Sequence, residues 1–358
     1  MLMETLPDVS WTTTPEASPA AQGFHMPAEW APHRATWLSW PHNRDTWPDE
    51  LEHVEHTIAE VVRLLSNYEA VYINVNDAAH EQHVRQVLDA AGVSGTVRFF
   101  HIPTDDAWIR DHGAIFVLHS QRRLLAATVW GFNSWGGKYP WARDAQVAPR
   151  MAQLLGVPAF EGGMILEGGS IETNGAGLLL TTEQCLLHPN RNPQLSKEAI
   201  EERLKAFLGI KQVLWLGQGL AGDDTDGHVD DLARFVAEDT VVIAIETDPG
   251  DPNYEVLQEN LDRLQAARLP DGRPLQLITL PMPEPVEIAD MRVPATYANF
   301  YIANHLVLMP AYGCRQDAEA LEILTRCFPE RTVVPIDCRA IIRGLGALHC
   351  LTQQVPAP

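Results

Sequence analysis

The chain has 358 residues, 46% of them hydrophobic, enough to bury a sizeable core in one large domain or two ordinary ones and too apolar for a disordered chain. Asp and Glu outnumber Lys and Arg 47 to 26, and the formal charge of -21 argues against a nucleic-acid partner, whose phosphates need clustered basic residues. Five scattered cysteines without a CxxC pair fit reduced thiols in a cytoplasmic protein, and no run approaches the roughly 18 apolar residues of a membrane span.

Residues 1–22 lack the basic and apolar regions of a signal peptide and read as a loose tail. Residues 23–358 are expected to form a single domain, because no Pro-, Ser- or Gly-rich linker divides them. In chain order, Leu51, Val54, Ile58, Val61 and Leu65 share one helical face, which predicts a helix over 51–65. A strand at 70–75, a helix at 78–91 and strands at 96–102 and 114–118 follow. A helix is expected at 144–155, a strand at 177–181, a helix over KEAIEERLKAFLG and a strand at 212–216. The pattern continues with a strand at 240–245, a helix at 253–268, a strand at 275–280, a helix at 316–328 and a strand at 332–336. Helices and strands alternate throughout, which makes this an α/β chain.

Between these elements a polar, glycine-bearing loop repeatedly runs straight into a strand: DDAWIRDHGAIFV, GMILEGGSIET, GDDTDGHVDDLARFV, VPATYANFYIAN and RGLGALHCLTQ. Their central residues Asp111, Glu167, His228, Asn299 and Cys350 are 56, 61, 71 and 51 positions apart. The spacing reads either as a degenerate repeat of about five units, each lending one loop to a shared place, or as coincidence in a helix-strand protein.

Cysteine is the strongest side-chain nucleophile, but a free pKa of roughly 8.5 leaves little thiolate at neutral pH without a nearby cation or base. Cys350 is either such a nucleophile or a small buried hydrophobe, and Gly344 and Gly346 favour the former by permitting a tight turn or a close approach. A strand over 347–352 would point His349 and Cys350 to opposite faces, so a partner for the cysteine must come from elsewhere. His228 and Asp230 are two apart and would share a strand face, where a histidine among carboxylates is held protonated and serves as an acid. A metal site is the rival reading of GDDTDGHVDD, opposed by the absence of HxH, HxxxH or HExxH spacings. Trp108 with Asp111 suits a planar cation, although an Arg110–Asp111 ion pair under a packed Trp explains the same residues. Glu167 is either a turn carboxylate or a group that orients a histidine.

Taken together, MPAEWAPHRATWLSWP, WIRDHG, FNSWGGKY, MILEGGSIETNGAGLLLTTEQCLL, TDGHVDDLARFV, YANFYIAN and HCLTQQ resemble the agmatine deiminase and bacterial peptidylarginine deiminase family of guanidine-modifying enzymes. The resemblance implies a five-bladed α/β propeller with pseudo-fivefold symmetry, which favours the repeat. It also implies hydrolytic deimination of a guanidinium, with Cys350 as nucleophile, His228 as acid and then base, Glu167 orienting His228, and Asp111 with Asp230 gripping the guanidinium nitrogens. On the substrate side it implies Trp108 as an aromatic wall, with Asp224 a candidate for the distal amine of agmatine and Asn299 counted among the substrate contacts. Metal and organic cofactors are not implied; the expected ligand is a small guanidinium cation, and a homodimer is compatible with the sequence without being specified by it. Agmatine deiminases usually read GGNIHC where this chain has Leu345 and Ala347 in LGALHC, which leaves arginine, free or in peptides, as the alternative substrate.

Overall fold

The computed structural model describes residues 18–358 and the backbone of a short strand at Trp11–Thr12. The tail expected over 1–22 lies mostly outside the described residues, and where it is described it is tied down. Trp11 and Thr12 pair in parallel with Ala159 and Phe160, and Ala20–Gln22 form a 3-10 turn closed by Gly23 at φ 89°. Strand pairing and a left-handed glycine close, rather than polar composition, decide the state of this stretch.

Helices form where an apolar stripe coincides with a start or stop signal. Leu51–Leu65 buries Val54, Ile58, Val61 and Leu65 on one face. Ala78–Ala90 starts at Asp77, whose carboxylate accepts from His80 N at 2.8 Å, and Lys197–Leu208 starts at Ser196, whose hydroxyl accepts from Ala199 N. Gly209 ends the latter at φ 67°, a left-handed conformation that costs glycine nothing. Val147–Leu155, Tyr254–Ala266 and Gln316–Cys327 complete the long helices, within two or three residues of the predicted ranges.

The strands pair in one recurring way. Ile115–His119 runs antiparallel to Leu125–Gly131, which is parallel to Ala159–Ile165 across the helix Val147–Leu155. Glu172–Thr173, Leu178–Thr182 and Gln212–Leu216 repeat the pattern around Lys197–Leu208. So do Ala233–Ala237, Thr240–Ile245 and Gln276–Pro281 around Tyr254–Ala266, and Tyr301–Ile302, Leu306–Ala311 and Thr332–Asp337 around Gln316–Cys327. In the last such sheet the C-terminal strand Gln353–Pro356 lies antiparallel to His33–Ser39, which continues in parallel to Ala70–Val75 and Val97–His101. Among the described residues these are the five sheets of three or more strands, each an antiparallel pair extended by a parallel strand across a helix. The fold is mixed α/β, and the C-terminal strand Gln353–Pro356 closes onto the early strand His33–Ser39.

Several of these strands carry weak sequence signals. Leu125–Gly131 is rich in alanine, Ala159–Ile165 contains Gly162 and Gly163, and Leu306–Ala311 and Gln353–Pro356 each contain a proline. Burial on both faces outweighs those propensities: all four residues of Gln353–Pro356 are buried, as are five of six in Leu306–Ala311. Indole N–H groups inside the core find acceptors, Trp40 on Glu55 at 2.7 Å and Trp47 on Ile341 O at 3.0 Å. Among the described residues no helix is long and apolar enough to cross a membrane.

Candidate active site

The loop entering the first strand of each sheet carries one of the five spaced residues. Asp111 lies in the short helix Ile109–His112 ahead of Ile115–His119, and Glu167 starts the 3-10 turn Gly168–Ser170 ahead of Glu172–Thr173. His228 starts the 3-10 turn Val229–Asp231 ahead of Ala233–Ala237, Asn299 precedes Tyr301–Ile302, and Cys350 lies within a turn ahead of Gln353–Pro356. Two expectations about local structure are corrected. Neither 228–230 nor 347–350 is a strand, so it is turn geometry, not strand alternation, that aims these side chains.

The loops converge. Asn299 Nδ2 lies 3.1 Å from Cys350 Sγ, Asp230 Oδ2 is 3.9 Å from the same sulfur, and Asp111 Oδ1 is 3.7 Å from His228 Nδ1. Asp111 is held from both sides, Oδ1 accepting from Gly169 N at 3.0 Å and Oδ2 from Trp135 Nε1 at 2.9 Å. Cys350 is 6% exposed, His228 1% and Asp230 0%, so charge here is weakly screened. Burial pushes the Cys350 thiol up, and Asp230, Asp231 and Asp111 push it further, well above an ordinary cysteine. Burial opposes charge on His228 too, but Asp111, then the neighbouring Cys185, and after them Asp230 outweigh that and hold the ring protonated well above its usual range. Burial raises Asp111, with His228 pulling the other way, whereas Asp230 stays below the usual carboxylate range because His349 and His228 outweigh its burial. Asp230 Oδ1 and both ring nitrogens of His228 are buried without a hydrogen-bond partner, which in a protein interior marks groups awaiting one.

The site opens into a cavity of about 430 Å³ lined by Trp108, Asp111, Trp135 and Cys350 together with Asp105, Asp106, Asp144, Asp224 and Arg343. Asp224 is therefore on the cavity wall, where Tyr139 donates to its Oδ2 at 2.6 Å and Lys138 Nζ lies 3.4 Å from Oδ1. Glu167, His228, Asp230 and Asn299 lie behind the residues that line the cavity. The Asn299 amide instead holds the cysteine loop, donating to Cys350 Sγ and to Asp231 Oδ1 at 2.9 Å while its Oδ1 accepts from His349 N at 3.0 Å.

Arg110 does not pair with Asp111. It reaches Glu29 at 3.4 Å and Gln354 at 2.7 Å, and its backbone N donates to Cys350 O at 3.2 Å, so it ties the Asp111 and Cys350 loops together. Glu167 has no hydrogen bond to His228: Oε1 accepts from Arg191 Nε at 2.6 Å and Oε2 is unpartnered. Its carboxylate, Cys185 Sγ and a His228 nitrogen nevertheless fall within 4.8 Å of one another, as do atoms of Asp230, Asp231 and Cys350. Both triads contain metal-type donors, and one oxygen of each carboxylate is engaged, by Arg191, His349 and Asn299.

Known proteins share both the sequence and the fold of this chain. The family model of the Porphyromonas-type peptidyl-arginine deiminases matches residues 25–356. The chain belongs to that family. It is 39% identical to the agmatine deiminase of Ectopseudomonas mendocina, over 97% of this chain and 99% of that one. Among solved structures it is similar to the agmatine deiminase of Enterococcus faecalis, with a TM-score of 0.90, 33% identity and coverage of 97% and 99% of the two chains. It is likewise similar to the C. jejuni agmatine deiminase solved with substrate bound, with a TM-score of 0.85, 32% identity and coverage of 94% and 96%. As a member of this deiminase family the chain is a hydrolase of carbon–nitrogen bonds in guanidine-type groups.

In this deiminase the glycines of the final loop have a steric purpose. A Cβ on Gly344 would lie 2.8 Å from Trp47 Nε1, and one on Gly346 would lie 2.6 Å from the Trp108 ring. They let the cysteine turn press against the aromatic wall, while Leu345 between them occupies φ 70°, a conformation that normally favours glycine. Gly169, Trp135, Arg191 and Glu29 are site residues that reasoning from sequence did not single out, although all but Arg191 lie in the quoted motifs. Gly169 carries a direct test. A Cβ there would lie 2.6 Å from His228 Nδ1, 2.9 Å from Asp111 Oδ1 and 3.0 Å from Asp230 Oδ2. Gly169→Ala is expected to lower kcat/KM on a guanidinium substrate by roughly 100-fold or more, because displacements near 1 Å cost that much in a positioned site. The accompanying loss of stability should be only about 1–3 kcal/mol. Steady-state kinetics beside a denaturant titration checks this, and normal activity in the Gly169→Ala variant would remove the convergence point from the site.

Proposed function

We propose that the five sheets form a five-bladed α/β propeller and that its central cavity converts agmatine and water into N-carbamoylputrescine and ammonia. The observation that carries this reading is the meeting of one nucleophile, Cys350, with two carboxylates, Asp111 and Asp230, and a protonated imidazole, His228, against an acidic cavity that Cys350 and Asp111 line. A guanidinium is a poor electrophile; two carboxylates fix its plane and localise its charge on the nitrogens, so that its carbon faces the sulfur. The orphaned Asp230 Oδ1 accepts one N–H group of the substrate.

When the cation binds, Cys350 gives its proton to solvent, and the thiolate adds to the guanidinium carbon, forming a C–S bond as the C=N π pair moves onto nitrogen. His228 gives its proton to one nitrogen, the C–N bond breaks and ammonia leaves, which leaves a thiouronium on the enzyme. Neutral His228 then takes a proton from water, the resulting hydroxide attacks the same carbon, and collapse of the adduct breaks the C–S bond, the hydroxyl proton passing to the departing sulfur, which restores the Cys350 thiol and yields the ureido product. Neither step calls on a metal or organic cofactor. Asp105, Asp106 and Asp224 favour the second positive charge of agmatine on the cavity wall, and five unpaired cysteines fit a reducing, cytoplasmic setting.

The raised thiol has a consequence for labelling. In the empty site the carboxylates and burial keep Cys350 protonated, while a bound cation offsets those charges and lowers the cost of the thiolate. A cationic haloacetamidine should therefore label Cys350 at neutral pH much faster than neutral iodoacetamide, whose rate should climb only at pH well above the ordinary thiol range. Equal rates and equal pH dependence for the two reagents would overturn this account.

One observation favours arginine as substrate instead. Arg343 is exposed on the cavity wall, and its guanidinium has no ion pair or hydrogen bond among the described residues, so it is free to receive a carboxylate. Assay of ureido product from agmatine, free arginine and an arginine peptide separates the readings. Agmatine should be the best of the three by kcat/KM; an arginine substrate that surpasses it, and loses that advantage in Arg343→Leu, would overturn the agmatine assignment while preserving deimination.

A further inference from the structure

We propose that His349 is a positioning residue that holds the Asp230 carboxylate in place from behind by bridging it to Glu29, so that the MPAEW segment at 26–30 acts on guanidinium binding without touching substrate. The inference rests on the deiminase reading above. His349 is 1% exposed; its Nδ1 lies 2.6 Å from Asp230 Oδ2 and its Nε2 lies 2.7 Å from Glu29 Oε2. An ionised carboxylate only accepts, so both ring nitrogens must donate. Glu29 is in turn fixed by Arg234 Nη2 at 3.0 Å and by Ile302 N at 2.7 Å, and it is 4% exposed. The bridge therefore leads from the buried carboxylate beside Cys350 to a buried arginine anchor through two short, charge-assisted contacts.

The arrangement answers a physical problem. A carboxylate with 0% exposure keeps its charge only if it is paired, yet it must keep one oxygen free for substrate. His349 occupies Oδ2 and leaves Oδ1 unpartnered. The charged groups around Asp230 are His349, His228 and Arg234, which favour its ionised form, and Asp111, Asp231 and Cys350, which couple to it through like charge. His349 is the largest of the favourable ones, and it works against burial.

His349→Asn tests the bridge, since the shorter amide keeps a donor near Asp230 and loses both the charge and the reach to Glu29. We expect KM for agmatine to rise roughly 10- to 100-fold, the scale of one charge-assisted hydrogen bond, with a smaller fall in kcat. The acidic limb of kcat/KM should move to higher pH, because Asp230 then ionises less readily. The preference of Cys350 for haloacetamidine over iodoacetamide should collapse, with iodoacetamide labelling little changed. Proportional loss of labelling by both reagents, or a fall in kcat at unchanged KM, would show a merely structural histidine and overturn the proposal. Should the variant not fold, nitrogen NMR of the wild-type histidines decides: two donating nitrogens at His349 support the bridge, and one overturns it. If the wild-type enzyme turns over none of the three guanidinium substrates, the deiminase reading fails by itself, while the labelling preference still tests His349.

Discussion

Cys350→Ser is expected to reduce turnover by roughly 10⁴-fold or more, the scale on which removing the nucleophile of a covalent mechanism acts. A serine hydroxyl ionises far above any thiol, and the site already works against charge on the nucleophile: burial and three carboxylates raise even the Cys350 thiol. The single bound cation that offsets this for sulfur cannot do so for oxygen. The fold should be indifferent to the change, because Oγ is smaller than Sγ and can still accept from Asn299 Nδ2, now 3.1 Å from the sulfur. Thermal unfolding near that of the wild type, alongside loss of ureido product, is the expected pair of results. Activity within tenfold of wild type would exclude Cys350 as nucleophile.

His228→Gln is expected to cost roughly 10²- to 10⁴-fold in kcat, the usual range for a general acid-base group. The imidazole is 1% exposed, and Asp111, 3.7 Å away, helps hold it protonated against burial. It can therefore supply the proton that ammonia carries away and, once neutral, take one from water. Glutamine fills similar space but does neither. The pH profile separates this from a packing defect. Because the histidine is raised well above its usual range, the wild-type rate should fall on the alkaline side as the ring loses its proton, and that limb should disappear in the variant. A variant that keeps both the alkaline limb and the wild-type rate would sink the assignment.

The different fates of the paired candidates show what a sequence can convey. His228 and Cys350 were identifiable because each stands in a polar, glycine-bearing loop at repeat-like spacing, and the structure brings both loops to one cavity. Asn299 stood at the same spacing but does another job: it holds the sulfur and the following turn, and spacing says nothing about which way an amide points. His349 was set aside on the premise of a strand, and the turn that exists there buries it against Asp230 and Glu29. Glu29 itself lies 320 residues from His349, and no local pattern relates the two.

By itself the sequence determined the elements whose signals are local. The apolar stripe of Leu51–Leu65, the cap at Ser196 and the branched runs at Ala70–Val75 and Thr240–Ile245 are set by side chains within a few residues of one another. It also determined the family, through motifs spread over most of the chain. Only the tertiary structure decided the rest. Strands such as Ala159–Ile165 and Gln353–Pro356 exist because neighbouring strands accept their backbone groups and because one face of the first and both faces of the second are buried, against the preference of their own glycines and prolines. The charge states at the site are likewise a product of the fold. Asp230, Asp111, His228 and Cys350 acquire their protonation only when five separate loops exclude water from one small volume, where unscreened charges fix each other's ionisation.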